Sequence, residues 1–107
     1  YLYIMSSEKF TIPNNNSDLD LDLKNRKPEY MDHIFSVFCE NINENNICEK
    51  IYFFKFSDTN LEIVIKKKNY ISNLKNLLDY YVIKEEYENC NIINKLIKIV
   101  EADIKDE

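Results

Sequence analysis

None of the 107 residues is glycine. Average usage of about 7% would supply roughly seven. Glycine ordinarily carries a backbone through positive φ at tight turns and past helix ends, and it lets a main chain approach a ligand closely. Phosphate-cradling loops, dinucleotide fingerprints and nucleophile elbows all depend on it. None of them can be present here in the usual form, which argues against nucleotide-dependent enzymes and α/β-hydrolases. Turns must be built from the next most tolerant residues, Asn and Asp. Asn is abundant, with 15 copies beside 15 Ile and 13 Lys. That skew is what an AT-rich coding bias produces, so a single Asn or Lys carries little information.

The hydrophobic share of 45% belongs to a globular chain. The length suits one small domain. Net charge is −5, made of −1 over residues 1–29 and −4 over residues 30–107. Neither half has the electrostatic footprint of a nucleic-acid binder or of an anionic-membrane binder. Cys39, Cys48 and Cys90 form no CxxC pair. The expectation is reduced thiols in a cytoplasmic or nuclear protein, acting as small hydrophobes. No apolar run approaches the roughly 20 residues of a membrane span, and YLYIM at residues 1–5 is too short for a signal-peptide core. The chain opens on Tyr1, so it reads either as a fragment or as starting naturally at Met5.

Residues 1–28 read as a tail or linker, broken by Pro13, Asn14–Asn16 and Ser17. A single α+β domain is expected over 29–105. Pro28 and Glu29 suit a helix start. Met31, Ile34, Phe35, Phe38 and Ile42 then give an amphipathic helix from about 29 to 42. KIYFFKF at residues 50–56 and LEIVIK at 61–66 flank Ser57-Asp58-Thr59-Asn60 and read as a β-hairpin. Ile71, Leu74, Leu77, Leu78 and Tyr81 form a second helical stripe, and Ile93, Leu96, Ile97, Val100 and Ile104 a third, with Asn89 or Asn91 as N-cap. YYVIK at residues 80–84 fits either the end of the second helix or a short third strand. The predicted fold is a small antiparallel sheet, a hairpin with or without a third strand, packed against about three helices in the order α-β-β-α-(β)-α. A disordered or extended N-terminal tail precedes it.

Asp18, Asp20, Asp22 and Glu29 stand at the carboxylate positions of an EF-hand calcium loop. The turn position normally held by Gly is Leu23, cations Lys24 and Arg26 sit mid-loop, and TIPNNNS supplies no entering helix. No metal site is therefore expected there. Nor do His33, Cys39, Cys48 and Cys90 have the paired spacing of a zinc site. His33 has no partner in a catalytic motif and reads as a surface or rim histidine. If extended, residues 18–23 place Leu19, Leu21 and Leu23 on one side and three Asp on the other. That pattern reads as a solvated tail, as a strand lying on the domain's own sheet edge, or as a docking peptide for a partner's sheet. Lys66, Lys67 and Lys68 are the only basic run and read as a charged strand end that discourages edge aggregation.

From residue 34 to 104 the chain resembles the BTB/POZ family, particularly its cullin-adaptor, Elongin C-like relatives. NNICE before IYFFKF, then SDTNLEIVIKK, ISNLKNLL and YYVIKEEYENCNIINKLIKIV, follow that family's order of elements. Lys66-Lys67 replaces the family's usual His-Lys, and the connection to the next helix is a few residues shorter. The resemblance implies a protein–protein adaptor, either dimerising or linking a target to a ubiquitin-ligase scaffold. A second resemblance is to the small Alu-domain subunit of the signal recognition particle. It implies RNA binding, with Lys50, Lys55 and Lys66–Lys68 as phosphate contacts, and it ranks lower because the core is acidic. The reading of function is a non-enzymatic interaction module with a protein partner or a second copy of itself. No cofactor, no metal and no small-molecule substrate are expected, and nucleic acid is disfavoured. Leu19, Leu21, Leu23, Phe35, Phe38, Lys66, Lys67 and Lys68 are the expected partner contacts.

Overall fold

A computed structural model describes residues 11–57, 59 and 61–105. The first five residues and the turn residues Asp58 and Asn60, which the sequence reading invoked, lie outside the described residues. Strand β1 is Thr11–Ile12. Helix α1 spans Asn16–Asn25 and α2 spans Lys27–Asn41. A two-residue hairpin follows, β2 (Ile42–Asn43) and β3 (Asn46–Ile47). The long hairpin is β4 (Lys50–Phe56) with β5 (Glu62–Lys66). After a single 3₁₀ turn, α3 (Tyr70–Ile83) and α4 (Tyr87–Lys105) complete the chain. This is an α+β fold, as the residue pattern predicts.

Three local features differ from expectation, and one open alternative is decided. Residues 11–28, expected as a tail, carry β1 and α1. The third strand of the sheet is β1, which pairs parallel to β4 with Thr11 opposite Lys55 and Ile12 opposite Phe56. The sheet order is β1-β4-β5, so the sheet is mixed rather than purely antiparallel. Tyr80–Ile83 belongs to α3, which leaves no strand there. Helix α4 starts at Tyr87, so Asn89 and Asn91 lie inside it rather than capping it.

The strands and helices meet through a register shift in β4. Ile51 pairs with Ile65 and Tyr52 with Val64, but Phe54, not Phe53, pairs with Ile63. A bulge of this kind inserts one extra residue and shifts the alternation of the strand. Strict alternation from Ile51 would turn Phe53 and Lys55 toward the helices. The shift instead brings both Phe53 and Phe54 to that side. Phe53 stacks edge-on against Phe38 of α2 at 4.9 Å, and Phe54 lies 5.3 Å from the Tyr30 ring of α2. Tyr52 is left on the opposite face, 57% exposed.

The core gathers on the helix side of the sheet. Phe38 is fully buried and touches both Phe53 and Tyr70. Leu74, Leu77 and Tyr81 of α3 and Ile93, Leu96, Ile97 and Val100 of α4 close the same cluster. Two buried phenols find acceptors: Tyr70 donates to the Cys48 carbonyl and Tyr81 to Asp32 Oδ1, both at 2.5 Å. Buried tyrosines need such partners, because an unmatched hydroxyl costs about 1–3 kcal/mol.

Turns are made without glycine. In the β2–β3 hairpin Asn43 Oδ1 accepts the backbone N–H groups of Asn45 and Asn46, both at 2.9 Å. Between α3 and α4 the chain needs a left-handed residue, and Glu85 takes that conformation at φ 59°. Glu86 N–H bonds the Tyr81 carbonyl and Glu85 N–H the Val82 carbonyl, both at 3.0 Å, the paired bonds of a Schellman helix end. A side chain with a Cβ costs about 1–2 kcal/mol in that conformation. Replacing Glu85 by Gly removes the strain but loosens the unfolded chain. The expected net gain is about 0.5–1 kcal/mol of unfolding free energy, measurable by urea denaturation with an unchanged m-value.

Candidate functional site: an apolar groove

Helix α1 forms where an extended peptide was expected. Asn15 caps it, its side-chain oxygen accepting the Asp18 N–H at 2.9 Å. Asp18 in the first turn complements the helix dipole. Leu–Asp alternation satisfies a helix as well as a strand, because every second Leu recurs at i+4 and shares a face. Leu19 and Leu23 therefore point together toward the sheet, and Leu21 points away, 59% exposed.

A three-residue clamp holds α1 to α2. Arg26 leaves helical geometry at φ −121°, ψ 29°, and separates the two helices. Asp22 spans the break, accepting from Arg26 at 2.9 and 3.0 Å and from the Tyr30 hydroxyl. The Arg26 guanidinium, and next the Tyr30 hydroxyl, hold the Asp22 carboxyl below its ordinary value. Burial, and then the Asp22 carboxylate, push the Tyr30 hydroxyl up to about 12. Asp22 thus serves as a structural acceptor. Among the described residues no group of His, Cys, Asp or Glu is arranged to hold a metal ion.

Between α1, α2 and the sheet lies an open groove of about 440 Å³. Leu19 and Leu23 form one wall, and Tyr30, Met31 and Ile34 of α2 form the other. Ile12, Phe54 and Ile63, one from each strand of the sheet, line the floor. Lys24 and Lys27 are the only charged side chains in the lining. Lys27 lies over the Tyr80 ring at 5.8 Å. The size and apolar lining are those of a binding cleft. A second hollow of about 360 Å³, between Glu44–Ile47 and Lys98–Asp103, has a mixed polar lining.

The groove gathers Leu19 and Leu23 of the expected contacts and no others. Phe35 is half-buried and packs 5.4 Å from the Tyr81 ring, and Phe38 is fully buried in the core rather than on a contact surface. The lysine run does not act as one patch. Lys66 ends β5 and Lys68 is exposed, but the Lys67 side chain is only 11% exposed and pairs with Glu49 at 3.6 Å and with Asp103. His33 is half-buried, and its Nε2 lies 2.6 Å from the Phe53 carbonyl, so that nitrogen carries the proton and donates. Burial holds the ring below its ordinary pKa, against the opposing pull of that carbonyl and of Glu40. Its role is to satisfy the backbone at the bulge. No local pattern signals that Ile12, Tyr30, Phe54 and Ile63 converge, since they come from four separate elements.

No family model, curated protein or solved structure matches the chain significantly. Among the described residues no helix is long and apolar enough to cross a membrane.

Three buried phenols give the fold an alkaline limit. Burial first, then neighbouring carboxylates, raise Tyr30 to about 12 and Tyr81 further; burial, then Cys48 and Glu49, raise Tyr70 to about 12. An unfolded phenol titrates near 10. The folded state therefore retains protons that the unfolded state releases. This stabilisation is complete below pH 10 and disappears as pH rises through about 12. The last tyrosines to ionise, followed at 295 nm, should do so together with the loss of helical circular dichroism across that window. Ionisation of all tyrosines near pH 10 with the helix signal intact would contradict it.

Proposed function

We propose that the chain is a non-catalytic interaction module of adaptor type, with the groove between α1, α2 and the sheet as its receptor surface. The observation that carries this is the groove's lining. Its walls and floor are apolar side chains from five elements, and its only charges are two cations in a chain of net charge −5. Lys24 has no ion-pair partner among the described residues. The complementary occupant is an apolar segment of a partner protein flanked by acidic residues. Anchoring of one or two large apolar side chains in such a pocket is where interface energy concentrates. The residue-pattern resemblance of 34–104 to BTB/POZ adaptors favours an adaptor over an enzyme. RNA binding is less well supported, because Lys67, one of the phosphate contacts that reading needs, is engaged with Glu49 and Asp103.

Affinity capture from the native cell tests the proposal when the surface is altered in parallel. Leu23 is 42% exposed, so Leu23→Glu should cost about 1 kcal/mol and leave the fold intact. It should nevertheless remove the partner that the unaltered chain captures. The pair Lys24→Glu with Lys27→Glu should weaken capture at least about tenfold, with the loss smaller at high salt. A partner retained equally by all three chains would rule the groove out as its receptor.

A further inference from the structure

Strand β5 is the last strand of its sheet among the described residues, with β4 on one side only. Its sequence is Glu62-Ile63-Val64-Ile65-Lys66. Read in the opposite direction it has the same pattern with the charges exchanged. Two copies laid antiparallel about Val64 would set Ile63 opposite Ile65, and Glu62 opposite Lys66, at both ends.

The hydrogen-bonding phase agrees with that register. Lys67 N–H bonds the Glu49 carbonyl at 2.9 Å, and Phe56 N–H bonds the Leu61 carbonyl at 3.0 Å. Antiparallel pairs alternate between bonded and non-bonded. With Ile51 opposite Ile65 and Tyr52 opposite Val64, the backbones of Ile65 and Lys67 turn toward β4, and those of Val64 and Lys66 turn away. Beyond the bulge, Lys55 opposite Glu62 is likewise a non-bonded pair, so Glu62 turns outward. The three outward residues are those that meet one another when the two-fold axis passes through Val64. A register displaced by one residue would place outward groups against inward ones.

Charge points the same way. Within one chain Lys66 sits directly opposite Lys50, a like-charge pair that weakens a sheet. Glu62 already faces Lys55, but a carboxylate has acceptor capacity for a second cation. The edge has no proline and no internal charge, the usual defences against pairing. Its β-branched centre favours pairing.

We infer that β5 is a self-complementary edge through which two copies of this chain join into one continuous six-stranded sheet. The pairing is isologous, so it closes at two copies. It uses the backbone edge of β5 and shares only Ile63 with the groove lining, so failure of either idea leaves the other standing. Five residues of edge make a small interface, so the dimer is weak and concentration-dependent.

Sedimentation of the full chain between roughly 10 μM and 1 mM, the range a small interface requires, reads the mass directly. The unaltered chain should move from one copy toward two. Lys66→Glu alone sets Glu opposite Glu across the axis, and Glu62→Lys alone sets Lys opposite Lys. Each should weaken self-association at least about tenfold. A mixture of the two single variants restores opposite charges at every end and should form a heterodimer. The double reversal, Glu62→Lys with Lys66→Glu, should self-associate again, which keeps the test valid if one single variant fails to fold. A chain that stays monomeric across the range, self-association indifferent to single reversal, or growth beyond two copies would each overturn the inference.

Discussion

Two consecutive phenylalanines cannot both face the helices from a regular strand, and the rest of this structure depends on both doing so. The register shift at Tyr52–Phe54 solves the problem in β4. Phe53 enters the core against Phe38, and Phe54 becomes part of the groove floor. Moving one residue out of phase leaves backbone groups unmatched in the ladder. His33 satisfies the Phe53 carbonyl from α2, so the same helix that packs on the two rings also repairs the strand beneath them. Core, groove and helix position therefore share one cause.

Much of the fold could be read from residue spacing. Helices α2, α3 and α4 announce themselves through apolar stripes, and Phe38, Leu74, Leu77, Ile93 and Val100 from those stripes are all buried in the structure. The β4–β5 hairpin follows from β-branched and aromatic runs on either side of turn residues. What could not be read was phase. Nothing in KIYFFKF marks which residue bulges, because four of its five apolar side chains are aromatic and fit either face. Alternating Leu and Asp in residues 18–23 hid a helix for the same reason: a period of two contains a period of four. The fine hairpin of β2 and β3 lies in an Asn-rich stretch without the alternating apolar residues that mark a strand.

The groove was legible in part. Leu19 and Leu23 stood out, together with Leu21, as an apolar set in an acidic segment, although on the wrong kind of backbone. Their partners Ile12, Tyr30, Phe54 and Ile63 are far apart in the chain, and only the parallel pairing of β1 with β4 brings Ile12 to them. Likewise the Asp22 carboxylate, suggestive of a cation site by spacing, is consumed by Arg26 and Tyr30 once the chain turns helical. Local spacing suggests chemistry, and the competing demands of neighbouring donors decide whether it is available.

The pairing of β1 with β4 also orders events in time. It joins Thr11 to Lys55, whereas the β4–β5 hairpin joins residues close in the chain. Closing a long loop costs more entropy than closing a short one, and contacts distant in the chain form late. On the ribosome β1 and α1 emerge well before β4 exists. Throughout that interval Leu19 and Leu23 have no sheet to lie against, and the clamp of Asp22, Arg26 and Tyr30 is the only described tie on α1 that can form. A newly made chain thus presents its N-terminal leucines to its surroundings before it can fold them onto itself.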